Sequence, residues 1–371
     1  MTTALDDIRI LPAETEAERE SCYRLAYEIF CEEMGTMQES ADHARRMVRD
    51  EAIGRARLYR AMVGDEVVGS LGILWGGDGP FPPGFVDGFG LDRFLPVVPH
   101  AHMAITIRFL VKPSHRGTAV PLRLIVEAAR FQVAHGVTLS FCDCQPHLLS
   151  LYTRLGFRPY APAFDQPGFG LMVPLVFVVV DREYLRQGHR VLLSVFPEAM
   201  ADPVLSAQVN ALLPNEPPVV SATSLDDAAW AEVYGVLSET RATVGAFDGF
   251  TRAELDAFLA ESQIIVCQRG QQIIGEGQGT RTVYVVLEGA VEVRKDGRAL
   301  TTLREGRVFG EFALLLQLKR TADVYAAADR VRLVALNART LSRLVESRSE
   351  GAAKFLLNLS RLLALTVLAQ G

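Results

Sequence analysis

The sequence predicts an α/β (α+β) domain in the first half of the chain and an all-β barrel or roll with C-terminal helices in the second. Two observations support this. Between residues 104 and 156, strand-like and helical stretches alternate, as in an α/β layer. From Phe250 onward, short β-rich pieces are separated by glycines at regular spacing, as in a small barrel or roll. The chain has 371 residues, which is enough for two or three domains.

The elements of the first half can be assigned in order. Residues 18–33 carry apolar side chains at helical spacing, and residues 58–74 predict two strands joined at Gly64-Asp65, a hairpin signal. The pattern then predicts a strand at 104–112, a turn at 113–117, a helix at about 120–134, a strand at 137–144 and a short helix ending at Gly156.

Prolines separate the two halves. They separate short apolar pieces between residues 197 and 218, residues 215–218 indicate an exposed connector, and helical periodicity returns at 224–239. Near the end, leucines recur at helical intervals over 341–368. We therefore predict one domain at 8–190, a connector containing a helix at 191–240, and a second domain at 241–371.

Composition narrows the functional class. The net charge of -6 disfavours a protein that coats nucleic acid. The N-terminus lacks the layout of a signal peptide, and the longest apolar run, Leu171–Val180, is too short to span a membrane. The five cysteines form no CxxC pair, so we expect reduced thiols and no metal site. These features predict a cytoplasmic protein without a membrane span or a nucleic-acid partner.

The turn between the predicted strand at 104–112 and the following helix has features of a phosphate site. A helix N-terminus offers unpaired N–H groups and a positive dipole end to a pyrophosphate. Gly117 and Ala119 are small enough for close approach of the backbone, and Pro121 lies in the first helical turn, where its missing N–H costs nothing.

A second motif follows one α/β unit later. Together, VKPSHRGTA at 111–119 and LYTRLGF at 151–157 resemble the paired signatures of the GNAT family of N-acyltransferases, over roughly residues 8–185. The family pattern at the turn is Gln/Arg-x-x-Gly-x-Gly/Ala. Gly117 and Ala119 match it, whereas Ser114 replaces the first position.

The resemblance implies an acyl-CoA-dependent N-acyltransferase acting on an amine, either a small molecule or a protein lysine. Tyr152 would protonate the departing thiolate as general acid. The backbone of Phe109, Leu110 and Val111 would bind pantetheine and polarise the thioester carbonyl. The pyrophosphate of acetyl-CoA or a longer acyl-CoA would be cradled by Arg116, Gly117, Thr118, Ala119 and Val120.

The sequence does not determine which side chain acts as the general base or how long the transferred acyl group is. Residue type alone offers seven candidate bases: Glu28, Glu32, Glu33, His100, His102, Asp143 and His147. The helix at 23–30, together with Arg108-Phe109, is similar to autoinducer synthases and N-acyl amino acid synthases. Ala26 and Ile105 differ from the residues that this branch carries at the corresponding positions, which argues against acyl-homoserine-lactone synthesis. A long-chain donor, carried by CoA or acyl carrier protein, is still compatible.

The second half contains a pair of opposite charges nine positions apart, Glu311 and Arg320. A helical turn opening at Gly310 would let both face one small ligand. A guanidinium suits a phosphate, and a carboxylate suits a sugar hydroxyl. Backbone N–H groups at Ala313 and Leu314 would add donors.

FGEFALL at 309–315 and KRTADV at 319–324 resemble the phosphate-binding cassette of cyclic nucleotide-binding domains, of the catabolite-activator and protein kinase A regulatory type, over roughly residues 245–365. The resemblance implies Glu311 on the ribose 2′-hydroxyl, Arg320 on the phosphate and Thr321 on phosphate or base, for cAMP or cGMP. Asp323 stands where Ser or Thr is commoner. The remaining cassette residues are Gly310, Phe312 and Ala313, and the lid residues would be Leu341, Leu344, Phe355 and Leu356.

Taken together, these motifs predict an acyl-CoA-dependent N-acyltransferase whose activity is regulated by a cyclic nucleotide. One alternative is a long-chain N-acyl amino acid synthase. Another is a non-enzymatic cyclic nucleotide sensor with a degenerate GNAT domain. The sign of regulation and the oligomeric state, a homo-oligomer included, are not determined by these residues.

Overall fold

The computed structural model describes residues 8–166, 169–187, 191–214, 217–221, 245–259, 262–277, 282–316, 318–347 and 349–368. They form two compact units. Unit 1 contains the described residues of Met1–Asp143, Leu151–Tyr160 and Pro174–Asn215, and unit 2 contains those of Cys144–Ser150, Ala161–Val173 and Glu216–Gly371. The helix predicted at 224–239 lies outside the described residues.

The first ten strands build the N-terminal half, which is mixed α/β as predicted. They are β1 (Ile8–Pro12), β2 (Ala41–Asp42), β3 (Met47–Val48), β4 (Arg57–Val63), β5 (Glu66–Trp75), β6 (Met103–Val111), β7 (Leu139–Cys144), β8 (Arg158–Pro159), β9 (Phe164–Gln166) and β10 (Gly170–Val178). The main sheet has the order β1-β4-β5-β6-β7-β10-β8, with β9 paired to β10. Strands β6 and β7 are parallel, whereas β1, β4, β5 and β6 pair antiparallel in turn.

The helices of this half are α1 (Glu16–Tyr27), α2 (Glu51–Arg55), α3 (Pro83–Phe89), α4 (Val120–Ala134), α5 (Leu149–Leu155), α6 (Arg182–Arg186) and α7 (Pro203–Asn210). Helix α1 begins with a capping box, in which Thr15 and Glu18 satisfy each other's backbone N–H groups. It continues into a π-helical segment, Glu28–Glu33. Leu124 and Ala128 of α4 pack on Leu71 of β5 in the core.

Local signals predicted these elements well. The hairpin turn at Gly64-Asp65 joins β4 to β5 and gives Gly64 a φ of 58°. Gly156, with a φ of 103°, follows the end of α5 as expected of a helix stop.

Part of the predicted connector packs with unit 1. Pro203 lies in the first turn of α7, capped by Asp202, so this proline starts a helix rather than breaking one. Phe196 is fully buried, with its ring 5.4 Å from that of Phe177. Residues 191–214 therefore contribute to a hydrophobic core, which proline spacing alone did not reveal.

The remaining nine labelled strands belong to unit 2. They are β11 (Val219–Ser221), β12 (Gln263–Gln268), β13 (Gln272–Ile274), β14 (Thr282–Glu288), β15 (Ala290–Lys295), β16 (Arg298–Arg304), β17 (Val308–Phe309), β18 (Asp323–Ala326) and β19 (Arg330–Asn337). They form two sheets with the orders β11-β12-β19-β14-β17 and β13-β18-β15-β16. All the pairings described are antiparallel, in agreement with the predicted β-roll.

Helices pack over one hydrophobic core of unit 2. They are α8 (Arg252–Leu259), α9 (Glu311–Leu316), α10 (Ala338–Glu346) and α11 (Glu350–Leu368). The rings of Phe258 in α8 and Phe355 in α11 lie 4.8 Å apart, and both are fully buried. Of the residues predicted for the lid, Phe355 and Leu341 are buried in this core, and Leu344 and Leu356 pack against it.

Several features of the described residues bear on the class of protein. No helix among them is both long and apolar enough to cross a bilayer. Within the same residues, no group of three or more His, Cys, Asp or Glu side chains could hold a metal ion. All five cysteines are buried and unpaired with one another.

Glu254 in α8 gives unit 2 a pH-dependent contact. Its carboxylate accepts hydrogen bonds from Lys354 Nζ in α11 and from the Thr251 backbone N–H, each at 2.7 Å. Lys354 and then Thr251 lower the pKa of Glu254 from 4.5 to about 2. Because the folded pKa lies below the unfolded one, this carboxylate stabilises the fold above about pH 4.5, and that stability is lost as the pH falls toward 2.

We therefore expect Glu254→Gln to be less stable than the unmodified protein at pH 7, with the difference shrinking between pH 5 and pH 2. Urea unfolding followed by circular dichroism at several pH values measures it. Glu346→Gln, at an exposed position in α10, is the control and should give no such trend. A pH-independent difference for Glu254→Gln would contradict the assignment.

Candidate functional site

The predicted cassette of unit 2 begins at Gly310, between β17 and α9. Gly310 has a φ of 84°, a left-handed conformation that favours glycine. A Cβ at this position would lie 2.6 Å from Arg320 Nη1 and 2.8 Å from the Thr282 carbonyl oxygen. Glycine is therefore required here both by backbone conformation and by the close approach of Arg320.

Arg320 is buried at the centre of the cassette, with 4% of its surface exposed. Its Nη1 donates to the Gly310 carbonyl at 2.8 Å, and its Nη2 donates to the Thr282 carbonyl at 2.6 Å. These two bonds hold the guanidinium in one orientation. A fixed, desolvated cation is well suited to bind a phosphate.

Glu311 lies beside this cation at the first position of α9. Burial raises the pKa of its carboxyl, while its own backbone N–H and the charge of Arg320 oppose that rise. The fold thus brings together the two charges that the sequence predicted to share a ligand. The Glu311 carboxyl can accept a hydrogen bond from a ligand hydroxyl.

The other predicted residues have different environments. Phe312 is 36% exposed, whereas Ala313 is buried. The N–H groups of Ala313 and Leu314 belong to the first turn of α9, which has no earlier carbonyls to pair with. Thr321 follows Arg320 and is exposed.

Asp323 occupies the cassette position at which Ser or Thr is commoner. Its Oδ1 accepts hydrogen bonds from Gln272 Nε2 at 3.1 Å and from the Glu276 backbone N–H at 2.8 Å. The carboxylate therefore ties β18 to β13 and to the turn after it, and does not point outward. The direction of the Asp323 side chain could not be predicted from the sequence, because neither of these two hydrogen-bond donors lies near Asp323 along the chain.

Unit 1 contains an opening between its two parallel strands. Strands β6 and β7 pair only at Met103–Ile105 with Leu139–Phe141. A mostly apolar pocket that is partly open to solvent lies beside these strands. Its walls come from β5, β6, β7, α4, α5, β10 and the residues after them: Leu71, Thr106, Phe109, Ile125, Ala128, Ala129, Gln132, Cys142, Tyr152, Leu155, Phe157, Phe177 and Leu192.

Two of the predicted residues meet in this cavity. Phe109 lines it from β6, and Tyr152 lines it from α5. Leu110 and Val111, next along β6, are buried and pair with Ser70 and Gly69 of β5. Tyr152 is half-buried and packs edge-on against Phe157 at 5.5 Å. Tyr152 and Phe109 therefore line the same pocket.

The predicted phosphate turn precedes α4. Helix α4 begins at Val120 without a side-chain cap at Ala119, and the Val120 N–H donates to Thr118 Oγ1 at 3.3 Å. Gly117 is exposed, and a Cβ there would meet nothing within 4 Å. Thr118 Oγ1 also donates to the His115 carbonyl and stabilises the turn.

The arginine of this turn has a partner that sequence did not predict. Nη1 and Nη2 of Arg116 each lie 2.6 Å from a carboxylate oxygen of Glu33, in the π-helical segment. Its Nε donates to the Val111 carbonyl. The guanidinium is therefore engaged within the protein. The N–H groups of His115, Arg116 and Thr118 also donate within the turn, to the carbonyls of Lys112, Pro113 and His115.

Ion pairs and hydrogen bonds narrow the candidate bases. Glu28, Glu32 and Glu33 form ion pairs with Lys112, Arg46 and Arg116, respectively. His100 and His102 bond to backbone groups, and the side chain of His147 is not described. Asp143 differs, because among the described residues it forms no ion pair, and burial raises the pKa of its carboxyl to about 6.

Comparison with known proteins concerns the C-terminal region. Residues 264–348 match the family model of the cyclic nucleotide-binding domain. Over 121 residues the chain is 31% identical to a cGMP-dependent protein kinase of Caenorhabditis elegans, and over 119 residues it is 30% identical to the cAMP-dependent protein kinase type II regulatory subunit of Drosophila melanogaster. These alignments cover 29% and 31% of this chain but only 16% and 30% of those proteins.

Solved structures include similar chains. A cyclic nucleotide-binding domain from Methylobacillus flagellatus is 20% identical, covering 41% of this chain and 84% of that chain at a TM-score of 0.35. The Thermus thermophilus catabolite activator protein is 28% identical, covering 34% and 59% at a TM-score of 0.31. The family match spans Gly310, Glu311 and Arg320, and it supports the prediction made for this region: the C-terminal region of this chain contains a cyclic nucleotide-binding domain with a β-roll fold.

Proposed function

We propose that this chain is an acyl-thioester-dependent N-acyltransferase whose activity is regulated by cAMP or cGMP bound to its C-terminal domain. The observation that carries the enzymatic half is the opening between β6 and β7, because it places Tyr152 and Phe109 around one cavity. The regulatory half is supported by the match to the cyclic nucleotide-binding domain and by the anchored Arg320.

The geometry of unit 1 supports acyl transfer in a specific way. Parallel strands that stop pairing leave backbone groups of β6 free to bond a substrate lying between them. The N-terminus of α4 follows directly after β6 through a short turn, so a phosphate bound there would be continuous with a chain lying along β6. An acyl-CoA has that layout, with a pyrophosphate, an extended pantetheine and an apolar acyl group.

The reaction assigns one role to Tyr152. The amine nitrogen attacks the thioester carbonyl carbon, a C–N bond forms and the C–S bond breaks. The phenolic O–H of Tyr152 would donate its proton to the departing sulfur, and backbone N–H groups of β6 would stabilise the oxyanion. The products are an amide and a thiol, and the amine proton goes to a base.

Regulation requires the nucleotide to bind two arrangements of the protein with different affinities. The two relatives named above are a cGMP-dependent protein kinase and a regulatory subunit of a cAMP-dependent protein kinase. A domain of this type controlling an attached activity would suit the present chain. The choice between the two nucleotides and the sign of the effect follow from the binding experiment below.

A second candidate, a long-chain N-acyl amino acid synthase, is favoured by the composition of the cavity wall. Most of the lining side chains are aliphatic or aromatic, and α4 contributes Ile125, Ala128 and Ala129 to it. Acetyl transfer alone does not need so much apolar surface. A medium or long acyl chain would bury its methylenes there, gaining roughly 0.8 kcal/mol for each.

The regulatory half is tested with Arg320→Ala. Removing one partner of a buried, hydrogen-bonded charge pair should weaken cAMP and cGMP binding by about 30-fold or more. Isothermal titration calorimetry measures the affinity, and acyl-transfer rates with and without saturating nucleotide measure the coupling. Arg298→Ala, at an exposed position in β16, should bind normally. Unchanged affinity in Arg320→Ala, or rates indifferent to nucleotide, would refute regulation.

The enzymatic half is tested with Tyr152→Phe. Losing the general acid should lower kcat by about 10²–10⁴-fold, with little change in the KM for the acyl donor. Release of free thiol in the presence of an amine mixture reports the rate. Tyr59→Phe, on β4 and away from the cavity, should retain activity. Absence of both acyl-CoA binding and turnover in the unmodified protein would favour a non-enzymatic sensor instead.

The second candidate is tested with a donor series of acetyl-, octanoyl- and palmitoyl-CoA. We expect the longer donors to give the higher kcat/KM. Ala129→Leu should narrow the cavity and reduce kcat/KM for palmitoyl-CoA by about tenfold, with a smaller effect on acetyl-CoA. Ala134→Leu, exposed at the end of the same helix, is the control. Strict preference for acetyl-CoA would exclude the long-chain candidate.

A further inference from the structure

Two stretches of the chain on either side of α5 belong to unit 2, although most of α5 belongs to unit 1. The described residues of Cys144–Ser150 come before this part of α5, and those of Ala161–Val173 come after α5 and β8. We call these two stretches the flanking segments. Between them, Leu151–Tyr160 belongs to unit 1 and contains Tyr152. The stretch that carries the proposed general acid is therefore joined, at both of its ends, to residues that pack in unit 2.

The flanking segments are bonded to each other within unit 2. Gln145 Nε2, in the first segment, donates to the Phe169 carbonyl oxygen, in the second, at 3.2 Å. The second segment is also paired with itself, because β9 is antiparallel to the first residues of β10. A displacement of the second segment would therefore be passed on to the first.

A strand of the β-roll holds the second flanking segment. Strand β9 packs against β13. Gln271, the residue directly before β13, donates from its side-chain Nε2 to the Ala163 carbonyl oxygen. Ala163 is buried, with 1% of its surface exposed. Because a buried acceptor is costly to leave without a donor, loss of the Gln271 amide should loosen the segment from β13.

The same strand is bonded to the cassette. The Gly277 N–H, in the turn after β13, donates to the carbonyl oxygen of Arg320 at 2.8 Å. Asp323 Oδ1 accepts from Gln272 Nε2 at the start of β13 and from the Glu276 N–H after its end, as described above. The stretch of the cassette that begins at the proposed phosphate ligand therefore holds β13 at both of its ends.

The position of β13 in its sheet lets it respond to such contacts. It is three residues long, Gln272–Ile274, and lies at the edge of the sheet β13-β18-β15-β16. Its pairing with β18 is irregular between Gln272 and Ile274. Among the described residues, β18 is the one strand that it pairs with. A short edge strand held by few ladder hydrogen bonds belongs to the least stable part of a fold and can shift without unfolding the rest.

The other end of this series of contacts is α5, which forms part of the pocket in unit 1. Tyr152 and Leu155 of α5 line that pocket, and so does Phe157, which follows the helix. The rings of Tyr152 and Phe157 lie 5.5 Å apart. A shift of this short stretch would change the shape of the pocket and the position of the phenol together. Both the affinity for the acyl donor and the rate of transfer would respond.

We propose that β13 and the flanking segments couple the cyclic nucleotide site to the acyl-donor pocket. A nucleotide bound at Arg320 displaces β13, and the bond from Gln271 to Ala163 carries the displacement to α5 and Tyr152. This inference rests on the function proposed above, because it names the route by which that activity is regulated. Since coupling between two binding sites is reciprocal, the nucleotide and the acyl donor should change each other's affinity by the same factor.

The chain offers a second route against which this one can be tested. Residues 191–221 also connect the two units covalently: Leu192 lines the pocket, and Val219–Ser221 forms β11. That route uses none of the hydrogen bonds named above. A variant of Gln271 therefore interrupts one route and leaves the other intact.

The inference is tested on the full chain by isothermal titration calorimetry. The Kd of cAMP and of cGMP is measured with and without saturating octanoyl-CoA, and the Kd of octanoyl-CoA with and without saturating nucleotide. We expect the affinities to change by about 5- to 150-fold, the usual range for coupled sites. Two ligands that bind without changing each other's Kd would overturn the inference.

Gln271→Met assigns the coupling to this route. The variant keeps the length of the side chain and removes the amide donor. We expect the coupling factor to fall to about 1–2, while the nucleotide Kd measured alone stays within about twofold of that of the unmodified protein. Gln268→Met, at an exposed position at the end of β12, is the matched control and should keep full coupling. Full coupling in Gln271→Met, or its loss in Gln268→Met, would overturn the assignment.

Gln145→Met tests the bond between the flanking segments. It removes the amide that donates to the Phe169 carbonyl and leaves the contacts of β13 unchanged, so we expect a coupling factor between those of Gln271→Met and the unmodified protein. If Gln271→Met does not fold, this variant decides the question. Full coupling in Gln145→Met would then exclude the flanking segments as the route.

The same measurements separate this inference from the function on which it rests. If the unmodified protein neither binds an acyl-CoA nor cleaves one in the presence of amines, the proposed acyl transfer fails, and the inference fails with it. If the unmodified protein couples the two ligands and Gln271→Met couples them equally well, the proposed function stands and only the route is overturned.

Discussion

The separation of strands β6 and β7 is the constraint on which the candidate chemistry of unit 1 depends. Two parallel strands in a sheet would normally continue their hydrogen bonds along their shared length, but these two stop after three residue pairs. The gap admits the apolar cavity on the α4 face, with Tyr152 beside it.

The cassette of unit 2 follows a related physical rule. Arg320 is buried, and two backbone carbonyls hold its guanidinium in place. The carbonyl of Gly310 is one of them, so the same glycine that permits the left-handed turn also anchors the cation. The cation of unit 2 is therefore held in one orientation before a ligand binds. Such pre-organisation reduces the cost of binding a ligand of opposite charge.

Local sequence signals predicted the elements that position these groups. The start of α4 at Val120 and the hairpin at Gly64 follow from capping, turn and periodicity rules that act over a few residues. Proline spacing did not predict that residues 191–214 pack with unit 1, where Phe196 is buried in a core. Proline limits the backbone only locally, and burial of an aromatic ring depends on residues far away in sequence.

The sequence by itself determined the order of elements in the first half, the cassette from Gly310 to Arg320 and the presence of Tyr152 after the second α/β strand. Only the tertiary structure decided which charges are already engaged. Arg116 pairs with Glu33 across 83 positions, and Arg108 pairs with Asp50 across 58, so neither pairing leaves a periodic or local trace. Asp143 became the candidate base because the fold gave every other described candidate a partner. Long-range contacts of this kind arise from packing, which local propensities do not encode.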